Sequence, residues 1–166
     1  GGVVAAGLSQ EEVPLRVIPF GKALGASGAI VAGKRMWIEA LLQSTKQPVY
    51  STAISPAYTY GVLETFHLLR QADDRRAYLQ ELIRYFRTAI AGSTLRWRDS
   101  HTPIQQLQLG CPLLAIQMAE KLYYAGIRCF PIRQPTVTKQ ETGLRIILNH
   151  CHRFSDIDKL LRVLEC

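Results

Sequence analysis

Leu15-Arg16-Val17-Ile18 is a short apolar run with the length and branching of a buried strand, and it leads straight into Pro19-Phe20-Gly21-Lys22. A second such run, Ala29-Ile30-Val31-Ala32, is closed by Gly33. Residues 34–46 carry Met36-Trp37, Ala40-Leu41 and Ser44 at helical spacing, and Pro48 is expected to stop that helix. Ser55-Pro56 reads as an N-cap followed by Pro at the first helical position, opening a helix that runs to about Arg70. Asp73 or Asp74 is placed to cap the next helix, whose apolar face is Leu79, Leu82, Ile83, Phe86 and Ile90, with Gly92 as a left-handed C-cap. Beyond it the period changes. Leu95 to Arg98 and Ile104 to Leu109 alternate, which predicts two half-buried strands. A helix from Pro112 to Ala125, ended by Gly126, precedes two more predicted strands at 127–132 and 144–148. Ser155 is expected to cap a last helix, with a carboxylate at Asp158 and with Ile157, Leu160, Leu161 and Leu164 on one face.

Gln71-Ala72-Asp73-Asp74 is the expected internal boundary. It divides the chain into residues 1–72, the end of one domain, and residues 73–166, a small domain of order α-β-β-α-β-β-α. That order suggests an open, mainly antiparallel sheet with helices on one side. No repeat or low-complexity segment interrupts the pattern.

Composition narrows the classes. With 48% apolar and 20% charged residues in 166, the chain has the make-up of an ordinary folded domain. No apolar run reaches the roughly 18 residues that a membrane span needs. Gly1-Gly2-Val3-Val4 lacks the basic start and cleavage site of a signal peptide, so a cytoplasmic protein is expected. The net charge is +7, but the arginines are spread out; Arg75, Arg76, Arg84, Arg87, Arg96 and Arg98 form the densest group. They read as a solvated helix face rather than a nucleic-acid surface, and one able to attract an acidic carrier protein or the phosphates of coenzyme A. Cys111, Cys129, Cys151 and Cys166 form no CxxC pair, so scattered reduced thiols are expected. His150-Cys151-His152 could put two imidazoles on one side of a strand. Without a third ligand nearby, no metal is expected.

The segment with the most chemistry is Pro19-Phe20-Gly21-Lys22-Ala23-Leu24-Gly25-Ala26-Ser27-Gly28-Ala29. A lysine directly follows a strand, among glycines and small residues that let a ligand approach the backbone. It is not a Walker A loop, where Gly-Lys comes last and Ser or Thr follows, and it contains no GxG of a dinucleotide fingerprint. Composition alone leaves Lys22 a glycine-flanked loop lysine.

The ordered string resembles the Schiff-base loop of the α-oxoamine synthases, a family of fold-type I pyridoxal-phosphate enzymes. Tyr50-Ser51-Thr52 is similar to the family's Tyr-Ser-Thr turn near the cofactor phosphate of the neighbouring subunit. Pro131-Ile132-Arg133-Gln134-Pro135-Thr136-Val137 resembles its Ile-Arg-Pro-Pro-Thr-Val loop. Leu144-Arg145-Ile146 resembles the strand whose arginine holds the substrate carboxylate. The four segments occur in the family's order over almost the whole chain.

The resemblance implies that residues 1–72 end the cofactor-binding large domain and residues 73–166 form the small C-terminal domain. It implies pyridoxal 5'-phosphate held by Lys22, which also acts as base, with Ser51 and Thr52 on the phosphate. Thr136 and Arg145 would bind substrate, in a homodimer that shares its active site across the interface. Only a neutral lysine amine can attack the cofactor's aldehyde, so the site has to favour that form by desolvation and nearby cations. The whole pattern is most like members that condense L-alanine with a pimeloyl thioester, on coenzyme A or a carrier protein, with loss of carbon dioxide on the way to biotin. The Pro135-Thr136-Val137 loop is similar to theirs and to that of 5-aminolevulinate synthases, and less so to that of glycine C-acetyltransferases. Alternatives are a member of the 5-aminolevulinate synthase or glycine C-acetyltransferase type, or a non-catalytic interaction module derived from the family. Two departures stand out. Pro19 occupies the place of a phosphate-binding Thr. The family's ring-pairing Asp and ring-stacking His come from a segment upstream of these motifs, so this chain alone is expected to be inactive.

Overall fold

The computed structural model describes residues 2–165 and divides the chain into two compact units, Gly1–Gln71 and Ala72–Cys166. Cys166, one of the four cysteines of the sequence, lies outside the described residues.

The first unit begins with a single helical turn, α1 (Gly2–Ala5). Strands β1 (Leu15–Pro19) and β2 (Ala29–Gly33) pair antiparallel, with Leu15 opposite Gly33 and Pro19 opposite Ala29. That register makes residues 20–28, and hence Lys22, the connection between the two strands. Helix α2 (Arg35–Ser44) ends at Thr45, whose amide and hydroxyl both donate to the Leu41 carbonyl. Pro48 does not end a helix, as the sequence suggested; it lies inside a short one, α3 (Lys46–Tyr50). There it falls within the first turn, where a backbone N–H has no helical acceptor to lose. Helix α4 (Pro56–Arg70) follows with Pro at its first position, although the Ser55 side chain makes no capping bond.

The second unit opens with α5 (Asp73–Ala89), whose N-cap is Ala72 rather than Asp73 or Asp74. Asp73 sits in the first turn instead, paired with Arg76, where its charge favours the helix dipole. Gly92 is not a left-handed cap either. The Ile90 amide bonds back to the Phe86 and Thr88 carbonyls, and Ser93 bonds to Ile90, turning the chain without a positive φ. Of the strand predicted at 95–98, only a bridge from Trp97 to Leu107 forms, flanked by Arg98 to Gln106 and Gln108 to Arg96 backbone bonds.

The sheet proper has the order β3-β5-β4, from β3 (Ile104–Gln108), β5 (Gly143–Ile147) and β4 (Phe130–Ile132), all antiparallel. Between β3 and β4 lies α6 (Pro112–Tyr124), ended by Gly126 at φ +76°. β4 is shorter than predicted because the Ile127 amide is already spent on the Leu122 carbonyl in closing α6. The last helix, α7 (Phe154–Glu165), starts two residues earlier than a Ser155 cap would set it. The Asp156 carboxylate reaches back to accept the Arg153 amide at 2.8 Å.

Leu82, Ile83 and Phe86 of α5, Leu122 of α6, and Ile157, Leu160 and Leu164 of α7 bury against Leu107, Leu144 and Ile146 of the sheet. Arg145 and Ile147 alternate to the opposite, exposed face of β5. The helices therefore cover one face of an open antiparallel sheet.

Candidate active site

The connection carrying Lys22 is a closed structure rather than a slack loop. The Phe20 amide donates to Gly28 at 2.9 Å, the Ala26 amide to Phe20 at 3.0 Å and the Gly25 amide to Lys22 at 3.0 Å. Gly25 (φ +59°) and Gly28 (φ +86°) take left-handed conformations that a side chain would strain. Phe20 and Leu24, two positions either side of the lysine, are buried with Val62 of α4, and Tyr58, Phe66 and Leu69 of the same helix face close over them. Phe20 meets Phe66 edge to face, with ring centroids 6.2 Å apart. Lys22 itself points outward. It is exposed, and among the described residues its amine has no ion-pair or hydrogen-bond partner.

Ser51 and Thr52 lie just ahead of α4, in extended backbone after α3; both are exposed, and their hydroxyls are uncommitted among the described residues. Pro19 ends β1 opposite Ala29, so it supplies neither a hydroxyl nor an amide hydrogen to this end of the hairpin.

In the second unit, Arg145 stands on the central strand, between Gln106 on β3 and Phe130 on β4. Its side chain is exposed and makes no ion pair among the described residues. It borders a cavity of about 540 Å³ shared with Arg128, Phe130, Ile147, His152 and Lys159. Thr136 is exposed on the β4–β5 connection, in a turn closed by its own amide on the Arg133 carbonyl at 3.0 Å. The same connection is fastened at Glu141. The Thr138 hydroxyl and amide hold that carboxyl below its usual range, aided by Arg98 at 3.2 Å. Thr136 and Arg145 thus belong to one hairpin, and Lys22, Ser51 and Thr52 to the other unit.

Several sequence readings of the remaining polar residues change. His150-Cys151-His152 is not in a strand but in the turn before α7, where the His152 ring accepts the Asn149 amide. No group of three or more metal-ligating side chains exists among the described residues. Burial pushes the Cys129 thiol up to about 11 against an opposing backbone bond from Phe130, so it is no nucleophile at neutral pH. In the arginine group, Arg87 pairs with Asp99, Arg98 with Glu141 and Arg76 with Asp73, which neutralises much of that face. No helix among the described residues is long and apolar enough to cross a membrane. The sequence reading missed the face Tyr58-Val62-Phe66-Leu69 that braces the lysine loop. Its signal was present as apolar positions three and four apart on α4.

A model of the aminotransferase class I and II family matches residues 5–164. The chain belongs to that family. It is 37% identical over 164 residues to the 8-amino-7-oxononanoate synthase of Marinobacter nauticus and 39% identical over 165 residues to that of Alkalilimnicola ehrlichii. Each match takes in 99% of this chain and 42% of the relative. Among solved structures, the 8-amino-7-oxononanoate synthase of Francisella tularensis superposes with a TM-score of 0.85 at 28% identity, over 99% of this chain and 48% of that one. The chain spans less than half the length of these relatives. The family resemblance read from the Lys22 loop and its companion segments is borne out. So is a fold-type I transferase segment built with small antiparallel sheets.

Proposed function

We propose that this chain is the C-terminal part of a pyridoxal-phosphate-dependent acyltransferase that condenses L-alanine with a pimeloyl thioester and releases carbon dioxide. One observation carries the reading: an uncommitted lysine amine stands on a braced, glycine-turned loop, in a chain similar to enzymes named 8-amino-7-oxononanoate synthase. The residues present suit the cofactor. Lys22 is free to hold its aldehyde, and the hydroxyls of Ser51 and Thr52 are free to donate to its phosphate.

When bound, pyridoxal 5'-phosphate supplies an electron sink for the carbanion made at the amino-acid Cα. Lys22 would hold the cofactor through its Nζ and, when that amine is free, would take the Cα proton of alanine. Arg145 grips the alanine carboxylate with two parallel N–H bonds and so fixes the orientation of Cα. Thr136 lines the acyl or carboxylate end of the pocket. Ser51 and Thr52 serve the phosphate of a second copy in a cytoplasmic homodimer, and they carry more of that contact because Pro19 offers none. Residues 1–72 then close the cofactor-binding domain, and residues 73–166 form the small domain.

The test is turnover by the whole protein loaded with cofactor. L-Alanine with pimeloyl-coenzyme A or a pimeloyl carrier protein should release carbon dioxide in step with the amino ketone, and Lys22→Ala should abolish it. Turnover of glycine with a succinyl or acetyl thioester instead would assign a sister activity. No turnover with any thioester would leave an interaction module.

A further inference from the structure

The loop that carries Lys22 is tied to α4 by a polar bond as well as by apolar packing. The Tyr58 hydroxyl donates to the Ser27 carbonyl, across 31 positions of sequence. The two ends of this bond sit where they can matter. Ser27 lies between the left-handed Gly25 and Gly28, on the limb that returns from Lys22 to β2. Tyr58 is in the first turn of α4, downstream of Ser51 and Thr52, and its half-buried ring packs against Phe20 and Leu24. Phe20 and Leu24 plug the outgoing limb and the tip of the loop into α4, and the Tyr58 hydroxyl catches the returning limb. Apart from that bond the Gly25–Gly28 stretch, rich in conformational freedom, is held by the backbone bonds at its base and by Ala26 packing on the Phe20–Leu24–Val62 cluster.

We infer that Tyr58 is a positioning residue for Lys22: its hydroxyl latches the returning limb of the lysine loop and sets the direction of the amine. This rests on the reading of Lys22 as cofactor anchor. The latch itself can be tested apart from that reading.

Tyr58→Phe keeps the ring and its packing and deletes only the hydroxyl; Tyr60→Phe, at an exposed neighbour whose hydroxyl has no partner among the described residues, is the control. In the whole protein, amide exchange over residues 25–29 should quicken by about fivefold in Tyr58→Phe, the change expected of one neutral hydrogen bond. Binding of pyridoxal 5'-phosphate should weaken by about the same factor. The pH midpoint of the bound cofactor's absorbance should also move, which a merely structural role would not cause. Tyr60→Phe should change none of these. Exchange and cofactor titration like the unsubstituted protein, or an equal effect from Tyr60→Phe, would overturn the inference. Failure of the unsubstituted protein to capture the cofactor at Lys22 would sink the functional reading instead, and loop exchange would still decide the latch.

Discussion

Lys22 and Arg145 are both exposed cations without an ion-pair partner among the described residues, a state they share with most of the chain's lysines and arginines. Sequence chemistry could single them out because a family motif surrounds each, but it could not say whether their charges were already spent. The thiols were harder to read. Nothing in the sequence distinguishes Cys129 from Cys151, yet the first is packed beside β5 and the second is exposed. Because burial raises the Cys129 thiol to about 11 from an ordinary 9.0, its thiolate fraction near neutrality falls about a hundredfold. Brief alkylation at pH 8 followed by peptide mapping should therefore label Cys151 well ahead of Cys129. Equal labelling would contradict the packing described for that strand edge.

At the scale of elements, the helices that carry both a start and a stop signal were legible. α6 has Pro112 and Gly126 at its ends, and its observed limits agree with those predicted. Most misread boundaries turn on hydrogen bonds spanning only a few residues, such as Ile90 to Phe86, Ile127 to Leu122 and Arg153 to Asp156, which hydrophobic periodicity does not encode. The strand predicted at Ile104–Leu109 forms at Ile104–Gln108, but without the expected alternation: Gln105, Gln106 and Leu107 are all buried and Ile104 is 43% exposed. The buried Gln105 is satisfied on its amide nitrogen, which donates to the Ser100 and Thr102 carbonyls, while its Oε1 has no partner among the described residues. Two glycines that look alike in sequence also part company here. A Cβ at Gly143 would lie 1.8 Å from the Leu107 carbonyl oxygen across the β3–β5 ladder, whereas one at Gly92 meets nothing within 4 Å. Gly143→Ala should lower unfolding free energy by at least about 3 kcal/mol, at the severe end of overpacking. Gly92→Ala should change it by less than about 1 kcal/mol. Chemical denaturation of both variants checks the pair, and similar losses would mean that Gly143 does not approach β3 as described.

For the whole molecule, the two units differ in how completely they bury themselves. The second has a continuous core from three helices and the sheet, while among the described residues the first buries only Phe20, Leu24 and Val62 of its larger apolar side chains. Val17, Met36, Trp37, Tyr50 and Tyr60 remain exposed on it. The division near residue 72 was visible as a polar, helix-starting stretch between two apolar patterns. The partly covered first unit was not, because burial depends on what surrounds a pattern as well as on the pattern itself. Such a unit is suited to belong to a larger assembly, which accords with a chain spanning 42% of its curated relatives. Lys22 holds the central claim at this scale, since the proposed cofactor chemistry turns on its amine. Borohydride reduction of the whole protein after incubation with pyridoxal 5'-phosphate, followed by peptide mapping, tests it most directly. The account predicts a single fixed pyridoxyl label on Lys22; a label on another lysine, or on none, would contradict it.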